Sequence, residues 1–253
     1  MSDSMNTAPG VLITGAGGTV AQGLVPKLAR HYRLRLLDLT RSEEFTRHDR
    51  ATGSILDRSF LKTALAGIHG VVHCAAASKA AARDFTTEEY FDINVKGLYV
   101  LLEMCREAGV SRFVHVGSTA PVIGHWYAGE RITVDSSWTT RGRYSLTKML
   151  QEQVCEHVAR NSDMRIVALR PWGPCTGLTI RDESGTEIPR PYAPGLIEAE
   201  DFAEACRLAL EADFDRFRVF HTVATREARE RFDADLTEKD LGFRAREDFH
   251  ELL

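Results

Sequence analysis

Val11-Leu12-Ile13-Thr14-Gly15-Ala16-Gly17-Gly18-Thr19-Val20-Ala21 is the stretch on which the fold turns. Its first four residues form an apolar, β-branched run that stops at a glycine cluster, so it reads as a buried strand entering a tight turn. Beyond the glycines, Val20, Leu24 and Leu28 recur at helical spacing to about Arg30, and Pro26 is expected to kink or weaken that helix. Strand, glycine turn and helix in this order put backbone N–H groups and the positive end of a helix dipole where a pyrophosphate can sit. The spacing is G-x-x-G-x-x-A. Gly15 permits the tight turn, Gly18 lets the backbone approach an anion, and Ala21 is small enough for the helix to pack on the strand. Gly17, Thr19 and Val20 complete the expected cofactor cradle.

Outward from this turn, the next strand, Leu34 to Leu37, ends on Asp38, twenty-three residues beyond Gly15. A carboxylate there accepts both ribose hydroxyls and repels a 2′-phosphate, which favours NAD. Arg41 keeps NADP open as the less favoured cofactor, because a guanidinium pairs a phosphate. Asp57 is expected to cap a helix from Arg58 to Ala66 closed by Gly67, and Val71 to Ala75 is a further buried run. Phe91 to Ala108 reads as a long helix closed by Gly109, Phe113 to Val116 as a strand, Ser145 to Ala159 as a helix, and Ile166 to Leu169 as a strand stopped by Pro171. This alternation predicts an α/β fold, a Rossmann-type doubly wound parallel sheet whose ligands bind at the carboxyl ends of the strands. The irregular segment 172–195 is expected to be a substrate-side loop, after which Asp201 to Leu210 (helix) and Phe217 to Thr222 (strand) resume the pattern. The charge-rich tail from Thr225 to Leu253 is expected to form a surface helix or two. The chain thus divides into a flexible tail (1–9), an NAD-binding core (10–171) and a small substrate-binding portion (172–253) interleaved with that core.

Composition sets the outer limits. The 253 residues, 43% apolar and 27% charged, suit one globular domain and exclude disorder, collagen and coiled coil. Thirty-two Lys and Arg against thirty-six Asp and Glu give −4, so there is no basic excess to neutralise a nucleic-acid backbone, and nucleic acid is not an expected partner. The start lacks a basic segment leading into an apolar core, and no run of about 18 apolar residues occurs, so no membrane partner is expected and the location is expected to be cytoplasmic. The five cysteines are scattered without a C-x-x-C clip, so no metal is expected and reduced thiols are the default.

The chemistry lies in Tyr144-Ser145-Leu146-Thr147-Lys148, whose i,i+4 spacing puts a phenol and an ammonium on one helix face. A free phenol near pKa 10 is a poor base at pH 7, and lowering it by roughly 3 units takes about 4 kcal/mol of preferential phenolate stabilisation. A nearby ammonium in a water-poor cleft supplies much of that. Ser118 and Thr119 follow the Phe113 strand and bring hydroxyls to its carboxyl end, inside the expected cleft, unless one of them merely caps the next turn.

These residues together resemble the extended short-chain dehydrogenases/reductases, the NAD-dependent epimerase/dehydratase family. The resemblance covers nearly the whole chain and rests on the glycine turn, Asp38, His73-Cys74-Ala75-Ala76-Ala77, Asn94-Val95-Lys96-Gly97, the run from Ser118 to Gly124, Tyr144 to Lys148, and Arg170-Pro171-Trp172-Gly173-Pro174. It implies that Tyr144 is the acid/base, that Lys148 tunes it and holds the nicotinamide ribose, and that Thr119, five residues before Gly124, orients the reacting oxygen. It also implies that Ala75, Ala76, Ala77, Pro171 and Gly173 line the cofactor with Asn94 close by, and that His73 is structural. Two departures stand out: where members carry an acid that meets adenine there is only Ser54 beside Ile55, and the usual Tyr before the glycine is Ile123.

Within the family, 82 residues after Pro171 leave little room for a nucleotide-sugar clamp, so a small-molecule substrate is expected. Ala120-Pro121 replaces the Asp-Glu of the sugar dehydratases, which disfavours dehydration. Length and the run Leu241 to Phe249 resemble uronate dehydrogenases, although Ala120-Pro121 also replaces their polar Asn and His. Arg181 or Arg190 is a candidate for a substrate carboxylate. The expected activity is hydride transfer between a secondary alcohol of a small sugar or sugar acid and NAD, with a sugar epimerase as the alternative and a non-catalytic NAD(P)-sensing regulator as the alternative of another class. The resemblance further implies a homodimer paired through a four-helix bundle of the Phe91 and Ser145 helices.

Overall fold

A computed structural model describes residues 8–40, 45–78, 83–175, 179–181, 187–189 and 194–246, the side chains of 175, 179–181 and 187–189 excepted. A seven-stranded parallel sheet forms its centre, in the order β11-β6-β5-β4-β1-β2-β3. The strands are β1 (Gly10–Thr14), β2 (Arg33–Asp38), β3 (Asp49–Thr52), β4 (Gly70–His73), β5 (Arg112–Val116), β6 (Arg165–Pro171) and β11 (Phe217–Thr222). Between them run α1 (Thr19–Leu28), α2 (Arg58–Ala64), α3 (Thr87–Phe91), α4 (Leu98–Glu107), α5 (Gly124–Tyr127), α6 (Gly142–Arg160) and α7 (Ala199–Glu211).

The central strands are apolar on both faces because helices cover both. Leu36, Ile13, Val72, Val114 and Val167 lie in one row across five strands and pack with Leu24 of α1 and Phe202 of α7. On the opposite face Leu12, Val71, Phe113 and Ile166 pack with Leu61 of α2, Leu101 of α4 and Cys155 of α6. The alternation expected from the sequence therefore holds, including the Asp57 cap, which accepts the Phe60 amide at 3.0 Å. Helix α1 runs through Pro26 and ends at Leu28, because the proline falls in its last turn.

Several elements depart from expectation. Strand β3 is an edge strand with one partner, and Asp49-Arg50-Ala51-Thr52 lacks the apolar run that marks the buried strands. The long helix expected from Phe91 begins at Thr87, behind a capping box of Thr86 and Glu89, and is interrupted by a widened turn over Asp92–Gly97. Segment 172–195 contains β7 (Pro174–Cys175), parallel to β10 (Ile197–Glu198), and the antiparallel pair β8 (Thr179–Arg181) and β9 (Glu187–Pro189). The tail is not a plain surface appendage. It forms α8 (Arg226–Arg231), α9 (Ala234–Leu236) and a wide turn over Thr237–Leu241, and it buries Phe232, Leu241 and Phe243.

Candidate active site

The glycine turn stands at the carboxyl end of β1. Gly15 has φ +67°, and a Cβ there would lie 2.7 Å from the backbone of Ala75, so only glycine lets the β1 and β4 turns approach. Helix α1 opens with Gly18 as an extended cap, has no side chain bonded to its first amides and no acid in its first turn. Thr19 and Val20 therefore present free helical N–H groups, a fit for a pyrophosphate. Asp38 faces the same turn, its carboxylate accepting the amides of Gly17 (2.8 Å) and Leu39 (2.7 Å). These residues fit a dinucleotide with an unphosphorylated ribose.

The β4 turn is held from behind. Asn94, buried on the widened turn, accepts the Ala77 amide (2.7 Å) and donates to the Ala77 carbonyl (3.1 Å) and to Thr147 of α6 (3.0 Å). Both its amide hydrogens are engaged there, so it shapes Ala75, Ala76 and Ala77 rather than reaching outward. Ser54 accepts the Leu56 amide (3.1 Å), and Ile55 is buried against Gly97. Pro171 ends β6 and accepts the Thr119 amide (3.2 Å), and Gly173 has φ +67°. The Arg181 side chain and all of Arg190 lie outside the described residues.

At the reacting end, Tyr144 is half-buried near the start of α6. Lys148 stands 5.9 Å from its ring centre and donates to the Val116 carbonyl at 2.9 Å. Ser118 Oγ accepts the Ala120 amide at 3.1 Å and so caps the next turn, and the same side chain bears on the Tyr144 phenol. Thr119 is buried, its amide bound to Pro171 and its carbonyl to the Val122 amide, and this turn leaves Ser118 on the open side. The phenol is also not lowered as the sequence suggested. Burial raises it above the usual tyrosine value, with the nearby Ser118 opposing that rise. Lys148 is itself pushed down to about 8 by burial and so still carries its proton at pH 7.

Beneath Lys148 lies a layer the sequence did not reveal. His73 bonds Thr14 through Nδ1 (2.8 Å), the structural role expected of it, and its ring stacks with His115 at 5.8 Å. Burial, and next the Lys148 charge, lower His73 to about 3 and His115 well below its usual value, so both are neutral. Further along, Arg170 joins Glu152 of α6 to His221 of β11. Single buried polar residues inside apolar strands give no sequence signal of whom they meet.

Residues 11–175 match the model of the NAD dependent epimerase/dehydratase family. The chain belongs to that family. A relative described as sterol demethylase protein B, from Methylococcus capsulatus, is 31% identical over 201 residues, 74% of this chain and 60% of that protein. A UDP-glucose 4-epimerase from Erwinia amylovora is 28% identical over 179 residues, 65% of this chain and 53% of that one. The family member described here thus spans about half to three fifths of the length of these curated relatives. Among solved structures, a uronate dehydrogenase variant from Agrobacterium tumefaciens complexed with NAD superposes with a TM-score of 0.80 at 19% identity, covering 95% of this chain and 86% of that one, which shows a shared fold.

Proposed function

We propose that the protein is an NAD-dependent oxidoreductase that oxidises a secondary alcohol of a small sugar or sugar acid. The observation that carries this reading is that Lys148, 5.9 Å from the Tyr144 ring centre and bound to the Val116 carbonyl, brings Tyr144 to the end of β5 where Ser118 lies, at the same sheet edge as the Gly15 turn and Asp38. A protein that merely sensed the dinucleotide would need the turn and Asp38 but not a phenol paired with a hydroxyl and an ammonium. Gly15, Gly17, Gly18, Thr19 and Val20 would hold the pyrophosphate, Asp38 the adenosine ribose, and the Ala75 to Ala77 and Pro171 to Gly173 backbones the remainder. When bound, NAD supplies the hydride acceptor.

Tyr144, as the phenolate, would take the alcohol proton as the carbon gives up its hydride, so carbonyl formation is balanced by a neutral phenol. Ser118 holds the reacting oxygen against that phenol. Lys148, anchored on Val116, favours the phenolate and orients the ribose. This reading gives Ser118, the less buried of the two hydroxyl residues, the role implied for Thr119, whose amide ties the loop to Pro171.

A second reading takes an apolar alcohol such as a sterol as the substrate. Two things favour it: the name of the Methylococcus relative, and the apolar Ala120-Pro121 beside the reacting hydroxyl. The experiment is a panel of free sugars, sugar acids, nucleotide sugars and sterols with NAD and NADP, following NADH. Steady NADH accumulation with a sugar or sugar acid supports the dehydrogenase, product without net NADH supports an epimerase, and turnover confined to sterols supports the second reading. Tyr144→Phe is expected to abolish turnover. Ser118→Ala should lower kcat by about a hundredfold and Thr119→Val by much less, as removal of a transition-state hydrogen bond costs about 2.7–4 kcal/mol. Full activity in Tyr144→Phe would overturn the assignment.

A further inference from the structure

Four buried ionisable side chains that take no part in the proton step form one continuous chain. Arg170, next to last in β6, donates to both oxygens of Glu152 (Nε 2.9 Å, Nη2 2.5 Å), and its Nη1 donates to the Val134 carbonyl (3.2 Å) and to His221 Nε2 (3.3 Å). His221 Nδ1 lies 2.6 Å from one oxygen of Asp233, and the other oxygen accepts the Val134 amide at 2.7 Å. Arg170 and His221 are each 1% exposed, Asp233 6% and Glu152 7%. The proton positions follow from the partners. A guanidinium only donates, so His221 Nε2 accepts, and Nδ1 carries the hydrogen given to Asp233.

The chain joins α6, the segment before it, the end of β6 and the C-terminal portion. Glu152 lies on the same face of α6 as Tyr144 and Lys148, at i, i+4 and i+8. Val134, held at both its amide and its carbonyl, belongs to the segment between α5 and α6 that delivers Tyr144. Arg170 is followed by Pro171, which binds the Thr119 amide next to Ser118. His221 and Asp233 belong to the C-terminal portion. A buried ion pair adds little or nothing to stability over a well-packed apolar pair, so stability alone does not account for this arrangement.

We propose that Arg170, Glu152, His221 and Asp233 are positioning residues through which the packing of the C-terminal portion sets where the Tyr144 phenol stands relative to Ser118. This rests on reading Tyr144 as the acid/base. The test compares His221→Gln with His221→Leu. Glutamine offers a nitrogen to Asp233 and an oxygen to Arg170 and so restores both bonds, whereas leucine leaves both groups short of a partner.

In His221→Leu, kcat should fall about tenfold or more, the scale of a small misplacement of reacting groups, with NADH binding within about twofold of the parent. His221→Gln should recover most of that loss. In the free protein, amides of residues 130–152 should exchange faster in His221→Leu and not in His221→Gln, a readout that needs no substrate. An unchanged kcat in His221→Leu, or an equal loss in both variants, would overturn the proposal. If His221→Leu does not fold, Trp138→Leu replaces it. Its ring covers the Arg170 guanidinium at 5.0 Å from the solvent side, and loss of this cover should lower kcat with NADH binding kept, while an unchanged kcat counts against the network. Retained activity in Tyr144→Phe would remove the underlying reading, whereas an inactive Tyr144→Phe beside a fully active His221→Leu would remove the network alone.

Discussion

Asp38 holds the amides of Gly17 and Leu39 with one oxygen each, so the carboxylate is fixed beside the glycine turn before any ligand arrives. A ribose diol there meets a pre-oriented acceptor, and a 2′-phosphate meets a negative charge at close range. Asp38→Ala should therefore raise the KM for NAD by about tenfold or more, since hydrogen bonds to a charged group contribute about 1.5–3 kcal/mol. The same variant should lower the KM for NADP by removing the repulsion. Measuring kcat/KM with both cofactors decides this, and an unchanged NAD to NADP ratio counts against the role of Asp38. At this scale the glycine turn, Asp38, Tyr144 and Lys148 were legible because each requirement belongs to one residue: a positive φ, a charge, a phenol. Which of Ser118 and Thr119 is buried was not legible, since it depends on which backbone groups Pro171 and Val122 engage.

The widened turn over Asp92–Gly97 shows how an element serves the site without touching it. A regular helix would continue the Thr87 register, whereas the extra residue in the turn brings Asn94 inward against Ala77 and Thr147. Asn94→Leu keeps the approximate volume but leaves the Ala77 amide and carbonyl without their partner, at about 1–3 kcal/mol for a buried polar group left unmatched. A lower Tm together with a raised KM for NAD, at nearly unchanged kcat, is the expected result. A raised KM absent, with only Tm reduced, would show that the β4 turn does not depend on this clamp for cofactor binding. Hydrophobic period ran the widened turn and the helix after it together from Phe91, because a single extra residue disturbs the pattern too little, and it missed the first piece from Thr87. Strand β3 escaped for the opposite reason, since an edge strand with Asp49 and Thr52 exposed to solvent needs no apolar run.

Across the whole molecule the sheet is apolar through its middle and polar at its carboxyl edge, where His73, His115, Lys148, Arg170 and His221 are all buried. That edge costs stability in return for function. Lys148 gives the clearest measure, being lowered from 10.5 to about 8 by burial. At pH 7 the folded and unfolded chains both hold its proton, so the folded chain carries the full cost of a buried ammonium, on the order of 3 kcal/mol for such a shift. Between about pH 8 and 10.5 the unfolded chain still binds a proton that the folded chain has released, so this destabilisation fades as pH rises. Lys148→Met should therefore be inactive yet more stable than the parent at pH 7, by about 1–3 kcal/mol once the lost bond to Val116 is set against the removed charge. The advantage should persist unchanged at lower pH, shrink through the alkaline range and be gone above it. Denaturant melts of both proteins from pH 6 to about pH 10.5 read this directly, and a variant less stable than the parent at pH 7 would mean that Lys148 is solvated well enough in place to repay its burial.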